Sequence, residues 1–226
     1  MPKLTRLISG LCLIILVVIG APFDARAAST IGAVTLVHEF AYGTVAGEDK
    51  SGLFNYDDVF QTQTVETISE GALHIEFIDD TTLRLGSASR MVLDELVYDP
   101  NAKGGRLVAH LTEGVFRYIS GKIDKAGVRV LTPTVSIGIR GTDFSVAVAA
   151  DGTTAVSVEE GEVVVTALAG GDPVSVTPGQ IATVSATSSG IAITSGRSVS
   201  NDEGLGEMDD DAVADGDNDG GGSGSY

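Results

Sequence analysis

The stretch Val135-Ser136-Ile137-Gly138-Ile139-Arg140-Gly141-Thr142-Asp143-Phe144-Ser145-Val146-Ala147-Val148 decides the fold class. Its apolar residues recur at every second position. Val135, Ile137 and Ile139 form one row. After a break at Arg140-Gly141-Thr142, Phe144, Val146 and Val148 form another. Successive side chains of a strand point to opposite faces, so each row is the buried face of a half-buried strand. A helix would space its apolar residues three and four apart. Gly138 and Gly141, inside these β runs, predict a bulge or a close backbone approach. Pro133 lacks an amide donor and belongs at a strand start or edge. Arg140 falls on the face opposite Val135, Ile137 and Ile139. There its planar fork would tie carbonyls, or a carboxylate such as Asp143, at a turn.

The same period runs outward through the chain. Leu73, Ile75 and Phe77 alternate with His74 and Glu76, and Leu83 and Leu85 flank Arg84. Val156 and Val158, then Val163 and Val165, continue the pattern. Turn signals punctuate it at Asp79-Asp80, Gly104-Gly105, Asp151-Gly152, Glu160-Gly161, Gly170-Gly171 and Pro178-Gly179. Turns about ten residues apart suit a sandwich, barrel or solenoid. Trp is absent and aromatics make up 5% of the chain, so the core is expected to be thin and aliphatic. The predicted fold is all-β: a solenoid-like stack or flattened sandwich of short antiparallel strands.

The ends differ from this body. Lys3 and Arg6 precede an apolar run from Leu7 to Gly20 that is short for a membrane span, and Ala25-Arg26-Ala27 supplies a small-x-small cleavage pattern. Residues 1–27 therefore read as a signal peptide. The alternative, an uncleaved anchor, is opposed by the break at Pro22 and Asp24. Cys12 lies in mid-run, where a lipoprotein cysteine does not, so no lipid is expected. The mature chain would then hold no cysteine and no membrane span, and its net charge would be −19. That charge disfavours nucleic acid and anionic lipid surfaces as partners. Residues 28–200 form the β body. Residues 201–226, with nine acidic residues, seven glycines and no basic residue, read as a disordered acidic tail. Within the tail, Asp215-Gly216-Asp217-Asn218-Asp219-Gly220 fits the start of a calcium loop. Tyr226 stands where a bidentate Glu is required, so a solvated tail is the preferred reading.

No constellation of residues points to catalysis. His38, His74 and His110 are far apart, and the pairs His74/Glu76 and His110/Glu113 fall short of the converging ligands a metal needs. No serine sits in a Gly-x-Ser-x-Gly elbow. The doublets Asp57-Asp58, Asp79-Asp80 and Glu159-Glu160 point to opposite faces and read as turn and solubility residues. No metal and no cofactor are expected.

The segment Leu131-Thr132-Pro133-Thr134-Val135-Ser136-Ile137-Gly138-Ile139-Arg140-Gly141-Thr142-Asp143-Phe144 resembles the signature of FecR-domain proteins: Thr-Pro, apolar alternation, then Arg-Gly-Thr, one variable residue and Phe. The flanks agree in order. Leu83 to Ser89 resembles a strand followed by a turn of small residues. Leu107–Gly114 with Val115–Ile119 resembles a hairpin about Glu-Gly. Thr154 to Val163 resembles a second such hairpin, and Pro178-Gly179-Gln180 a closing turn. The similarity covers about residues 55–184.

The resemblance implies an extracytoplasmic all-β module. In signalling members it receives a signal from an outer-membrane transporter and follows an anti-sigma segment and a span. Only 27 residues precede the expected mature start, so the sequence predicts the module without the anti-sigma role. The expected function is a non-enzymatic, exported binding or sensing module, periplasmic or extracellular, acting through an envelope protein of unknown identity. Arg140 and Asp143 are its candidate binding residues. Thr132, Pro133, Gly138, Gly141, Thr142 and Phe144 form the structural motif around them, and a purely architectural Arg140 is the preferred reading. The rival functions are a structural or cell-surface module with a weakly calcium-binding tail, and an envelope hydrolase.

Overall fold

The computed structural model describes residues 28–101, 104–188 and 190–196; the expected signal peptide and acidic tail lie outside the described residues. The described residues form seventeen strands: β1 (Thr30–His38), β2 (Ala41–Thr44), β3 (Ser51–Leu53), β4 (Asp58–Phe60), β5 (Gln63–Thr67), β6 (Ala72–Phe77), β7 (Thr82–Leu85), β8 (Arg90–Tyr98), β9 (Gly105–Ile119), β10 (Val128–Leu131), β11 (Val135–Ile139), β12 (Asp143–Val148), β13 (Thr154–Glu160), β14 (Val163–Ala167), β15 (Val174–Val176), β16 (Gln180–Val184) and β17 (Ile191–Ser195). One 3₁₀ turn, Lys125–Gly127, precedes β10.

Hydrogen bonding links all seventeen strands, and the chain arranges them in two layers. The first runs β4-β1-β6-β7-β9-β12-β13-β16-β17. The second runs β3-β2-β5-β8-β9-β10-β11-β14-β15. Neighbours are antiparallel except β9 and β10, which are parallel. From β6 onward the chain lays down successive hairpins: β6–β7 in the first layer, β8–β9 and β10–β11 in the second, β12–β13 in the first, β14–β15 in the second and β16–β17 in the first. The all-β fold of mostly short, antiparallel strands read from the sequence is observed, with the long β9 and its parallel pairing to β10 as the departures.

The alternating apolar residues of both layers meet in one core. Leu73, Ile75, Leu83, Leu85, Val135, Ile137, Ile139, Phe144, Val146, Val156, Val158, Val163 and Val165 are all buried in it. The interior is largely aliphatic, with an aromatic group at its centre. Phe144 packs edge-on to Phe116, ring centroids 5.8 Å apart, and lies 5.3 Å from Tyr118.

Strand β9 belongs to both layers. Its residues 105–113 pair with β8, and its residues 114–119 pair with β7 and β12. Leu107, Ala109 and Leu111 point inward, then Phe116 and Tyr118 do. The inward set thus switches from odd to even positions, and the slip falls at Glu113-Gly114. Gly114 has φ +98°, and a Cβ there would run into the Cα and Oγ of Ser89.

This corrects the expected hairpin: Leu107–Gly114 and Val115–Ile119 are one continuous strand turning a corner between layers. The second expected Glu-Gly hairpin is also a corner, because β13 pairs in the first layer and β14 in the second. Gly161 stands there, where a Cβ would run into the Gly141 carbonyl oxygen. Gly141 marks the crossing from β11 to β12, with φ at +71°, and its carbonyl oxygen makes the close backbone approach to Gly161 expected at this break. Gly138 departs from expectation. It sits in regular register with Arg129 on one side and Val164 on the other, with no bulge.

Candidate functional site

The segment from Thr132 to Phe144 threads from one edge of the stack to the other. At its start, Thr132-Pro133-Thr134 forms the turn between β10 and β11. The Thr132 hydroxyl oxygen accepts the Val135 N–H at 3.0 Å and lies 2.9 Å from the Thr154 hydroxyl. Thr134 donates its hydroxyl to Thr154 at 2.7 Å. These three threonines tie the β10–β11 turn of one layer to the β12–β13 turn of the other. Pro133 is exposed in the turn, where its missing amide leaves no strand unpaired.

At the far end, Arg140-Gly141-Thr142 crosses between layers. The buried Thr142 donates its N–H to the Ser120 hydroxyl at 2.9 Å, and its carbonyl accepts the Ser120 N–H at 3.2 Å. Phe144 then drops into the aromatic centre. Asp143 does not meet Arg140. It lies opposite Ile119 on β9, and the outward Arg117 of the same strand reaches it with two parallel bonds, Nε to Oδ1 at 2.8 Å and Nη2 to Oδ2 at 2.6 Å. The cross-strand neighbour captures the carboxylate because both side chains project from one face of adjacent strands, whereas Arg140 points from the other layer. Asp143 is therefore a partner in an internal ion pair, and the expected Arg140–Asp143 tie is absent.

Beside the same corner, a neighbouring turn is held by a buried acid. Asp79 is fully buried, while Asp80, its exposed neighbour, pairs with Lys122. Asp79 Oδ2 accepts the Thr81 hydroxyl at 2.6 Å and the Ile123 N–H at 3.3 Å, and its carbonyl accepts the Lys122 N–H at 2.7 Å. The β6–β7 turn is thereby pinned to residues 120–123. The Tyr118 hydroxyl bonds to Thr81 and Ser120 from inside. Burial, more than the nearby Asp79 charge, pushes its pKa up to about 12. The doublet read as turn and solubility residues divides accordingly: Asp79 holds the turn from inside and Asp80 faces solvent, a division that depends on a partner segment some forty residues away in sequence. The cluster is closed and saturated with internal bonds, which suits a clamp.

The open site is on the outer face of the second layer. A groove of about 350 Å³ lies between the 3₁₀ turn and strands β10, β11 and β14, lined by Asp124, Ala126, Val128, Arg129, Gly138, Ile139, Arg140 and Val164. Arg140 is exposed, with Nη1 3.7 Å from Glu162 Oε1, and that oxygen already accepts the Ser175 hydroxyl at 2.6 Å. Arg140 is anchored through its backbone, which donates to the Glu162 carbonyl at 3.0 Å. Arg129, exposed on β10, stands directly across from Gly138. Sequence reasoning singles out Arg140 but misses Arg129, whose place in the groove follows from strand register alone.

Among the described residues, no three His, Cys, Asp or Glu side chains converge as metal ligands, and no helix is long and apolar enough to cross a membrane. His110 lies with Nε2 3.3 Å from Asp94, as an isolated pair.

Residues 63–164 match the family model described as FecR protein. No curated protein matches the chain. Two crystal structures, at 1.65 and 2.50 Å resolution, of a protein from Parabacteroides distasonis described as a "putative anti-sigma factor" are similar to it, each with 17% identity and a TM-score of 0.49. The alignments cover 60% of this chain, which spans 60% of the length of those structures.

Proposed function

We propose that this chain, which carries a FecR-like module over residues 63–164, is an exported, non-enzymatic binding and sensing protein acting on a protein partner of the cell envelope. The groove beside the Arg-Gly-Thr corner carries this reading. It presents two arginines on a rigid β face of a strongly acidic chain. Buried turns and corners fix the strands that frame it, so a ligand would meet a preformed surface. Export rests on the signal-like residues 1–27. The net charge of −17 favours a partner with a basic surface and faster encounter at low salt.

The test is capture from envelope extract with the exported chain, carrying a photo-crosslinking residue in place of Asp124 at the groove rim. One envelope protein, crosslinked in unaltered form and in lower yield at high salt, is the expected result. Absence of any specific crosslink overturns the proposal. Turnover of an envelope polymer by the purified protein replaces it with the hydrolase reading.

A further inference from the structure

Gly138 has no backbone reason to be glycine. It lies in the middle of β11, outside the positive-φ residues, with regular pairing on both sides. A Cβ there would meet nothing nearer than the Val164 carbonyl oxygen at 3.9 Å, an ordinary contact. A strand interior favours a β-branched residue at such a place, and glycine gives up both packing and backbone order. The missing side chain leaves space at the floor of the groove.

The flanks of that space decide what it receives. Arg129 faces Gly138 across the ladder, and Arg140 follows two residues later on the same face. The exposed or half-exposed Arg90, Arg106 and Arg117 have acid partners within bonding distance, Glu66, Glu95 and Asp143, while Arg84, on the first layer, keeps its Nε buried without a bond. Among the described residues Arg140 has only the long contact to a glutamate already bonded to Ser175. No ion pair or hydrogen bond involves the Arg129 side chain among the described residues. In a chain with 31 acidic and 14 basic residues, Arg129 and Arg140 are two exposed arginines without a close acid partner that stand together beside an unfilled floor. Asp124 on the rim limits the negative charge the groove accepts.

Resting on the reading of this module as a binding domain, we infer that the Gly138 groove is a carboxylate slot. It takes one Asp or Glu side chain, or a C-terminal carboxylate, of the protein partner between Arg129 and Arg140. The internal Arg117–Asp143 fork shows the same chemistry satisfied within the chain.

The probe is glutarate, titrated into the purified full chain at constant ionic strength. The readout is the arginine Nε–H and backbone amide resonances by NMR. Saturable shifts of Arg129, Arg140, Gly138 and Val164 are expected. Affinity should fall about tenfold or more in Arg129→Gln and Arg140→Gln. In Gly138→Val binding should be lost with a Tm equal to or above wild type, and Gly138→Ala gives the same comparison with a smaller side chain. Chloride producing the same shifts, no saturation, or full binding by Gly138→Val and Gly138→Ala each overturns the slot. Saturation by phosphate but not glutarate overturns the carboxylate assignment. A crosslinked envelope partner that is captured equally by Gly138→Val leaves the module reading standing and the slot refuted.

Discussion

Gly141 holds φ at +71°, a region in which a β-branched side chain clashes with its own backbone. Its carbonyl oxygen also occupies the space a Cβ on Gly161 would need, so the two corners fit only as a pair. Gly141→Val is expected to cost about 1–3 kcal/mol, read as a Tm several degrees lower by calorimetry. An unchanged Tm would mean that the corner relaxes freely.

Tyr118 makes a second residue-scale prediction. Its folded pKa of about 12 stands above the ordinary value of 10.0, so the unfolded chain loses this proton first as pH rises. Stability is complete below pH 10 and falls between pH 10 and 12, by about 2–3 kcal/mol for this group. Denaturant melts of wild type and Tyr118→Phe across that range measure it. The phenylalanine variant, although it lacks the bonds to Thr81 and Ser120, should lose less stability over the interval. Parallel pH curves would remove the effect.

Among the elements, β9 is the one on which both layers depend. Its two ends would read from sequence as separate strands, because their inward residues have opposite parity, and Glu113-Gly114 looks like a hairpin turn. Alternation fixes which side chains face inward along each strand, and Leu73, Ile137 and Val146 are buried as their positions require. It is silent on which layer a strand joins, since a corner and a hairpin can use the same Glu-Gly pair. The parallel β9–β10 pairing was hidden for the same reason. The site divides likewise. The outward Arg140 and the close approach at Gly141 follow from local sequence, while the Arg117–Asp143 pair, the buried Asp79 and the facing of Arg129 onto Gly138 arise from register between distant segments. Gly114→Ala tests the corner in β9. It combines a left-handed φ with overlap against Ser89, so about 2–5 kcal/mol of destabilisation is expected in urea melts. A cost below that of Gly141→Val would show that β9 can straighten without its phase slip.

For the whole molecule, charge and open edges act against each other. Each layer ends in strands bonded on one side only among the described residues: β17 and β4 in the first layer, β15 and β3 in the second. Unpaired edges template association with further strands, and β17 adds the exposed Ile193. A net charge of −17 opposes such contact at pH 7 through mutual repulsion. Near the sequence pI of about 4.3 that repulsion vanishes. Light scattering should therefore report reversible self-association as pH approaches 4.3, with near-UV circular dichroism confirming that the fold persists. Ile193→Lys, which places a charge on the β17 edge, should suppress it. Deleting residues 201–226 removes nine acidic residues and no basic one, so the onset should move to higher pH. The Tm should stay unchanged, because residues 201–226, rich in glycine and acidic residues, carry few apolar side chains to add to a core. If the chain stays monodisperse at its pI, or if Ile193→Lys associates like wild type, the β17 edge is not the contact that charge holds apart.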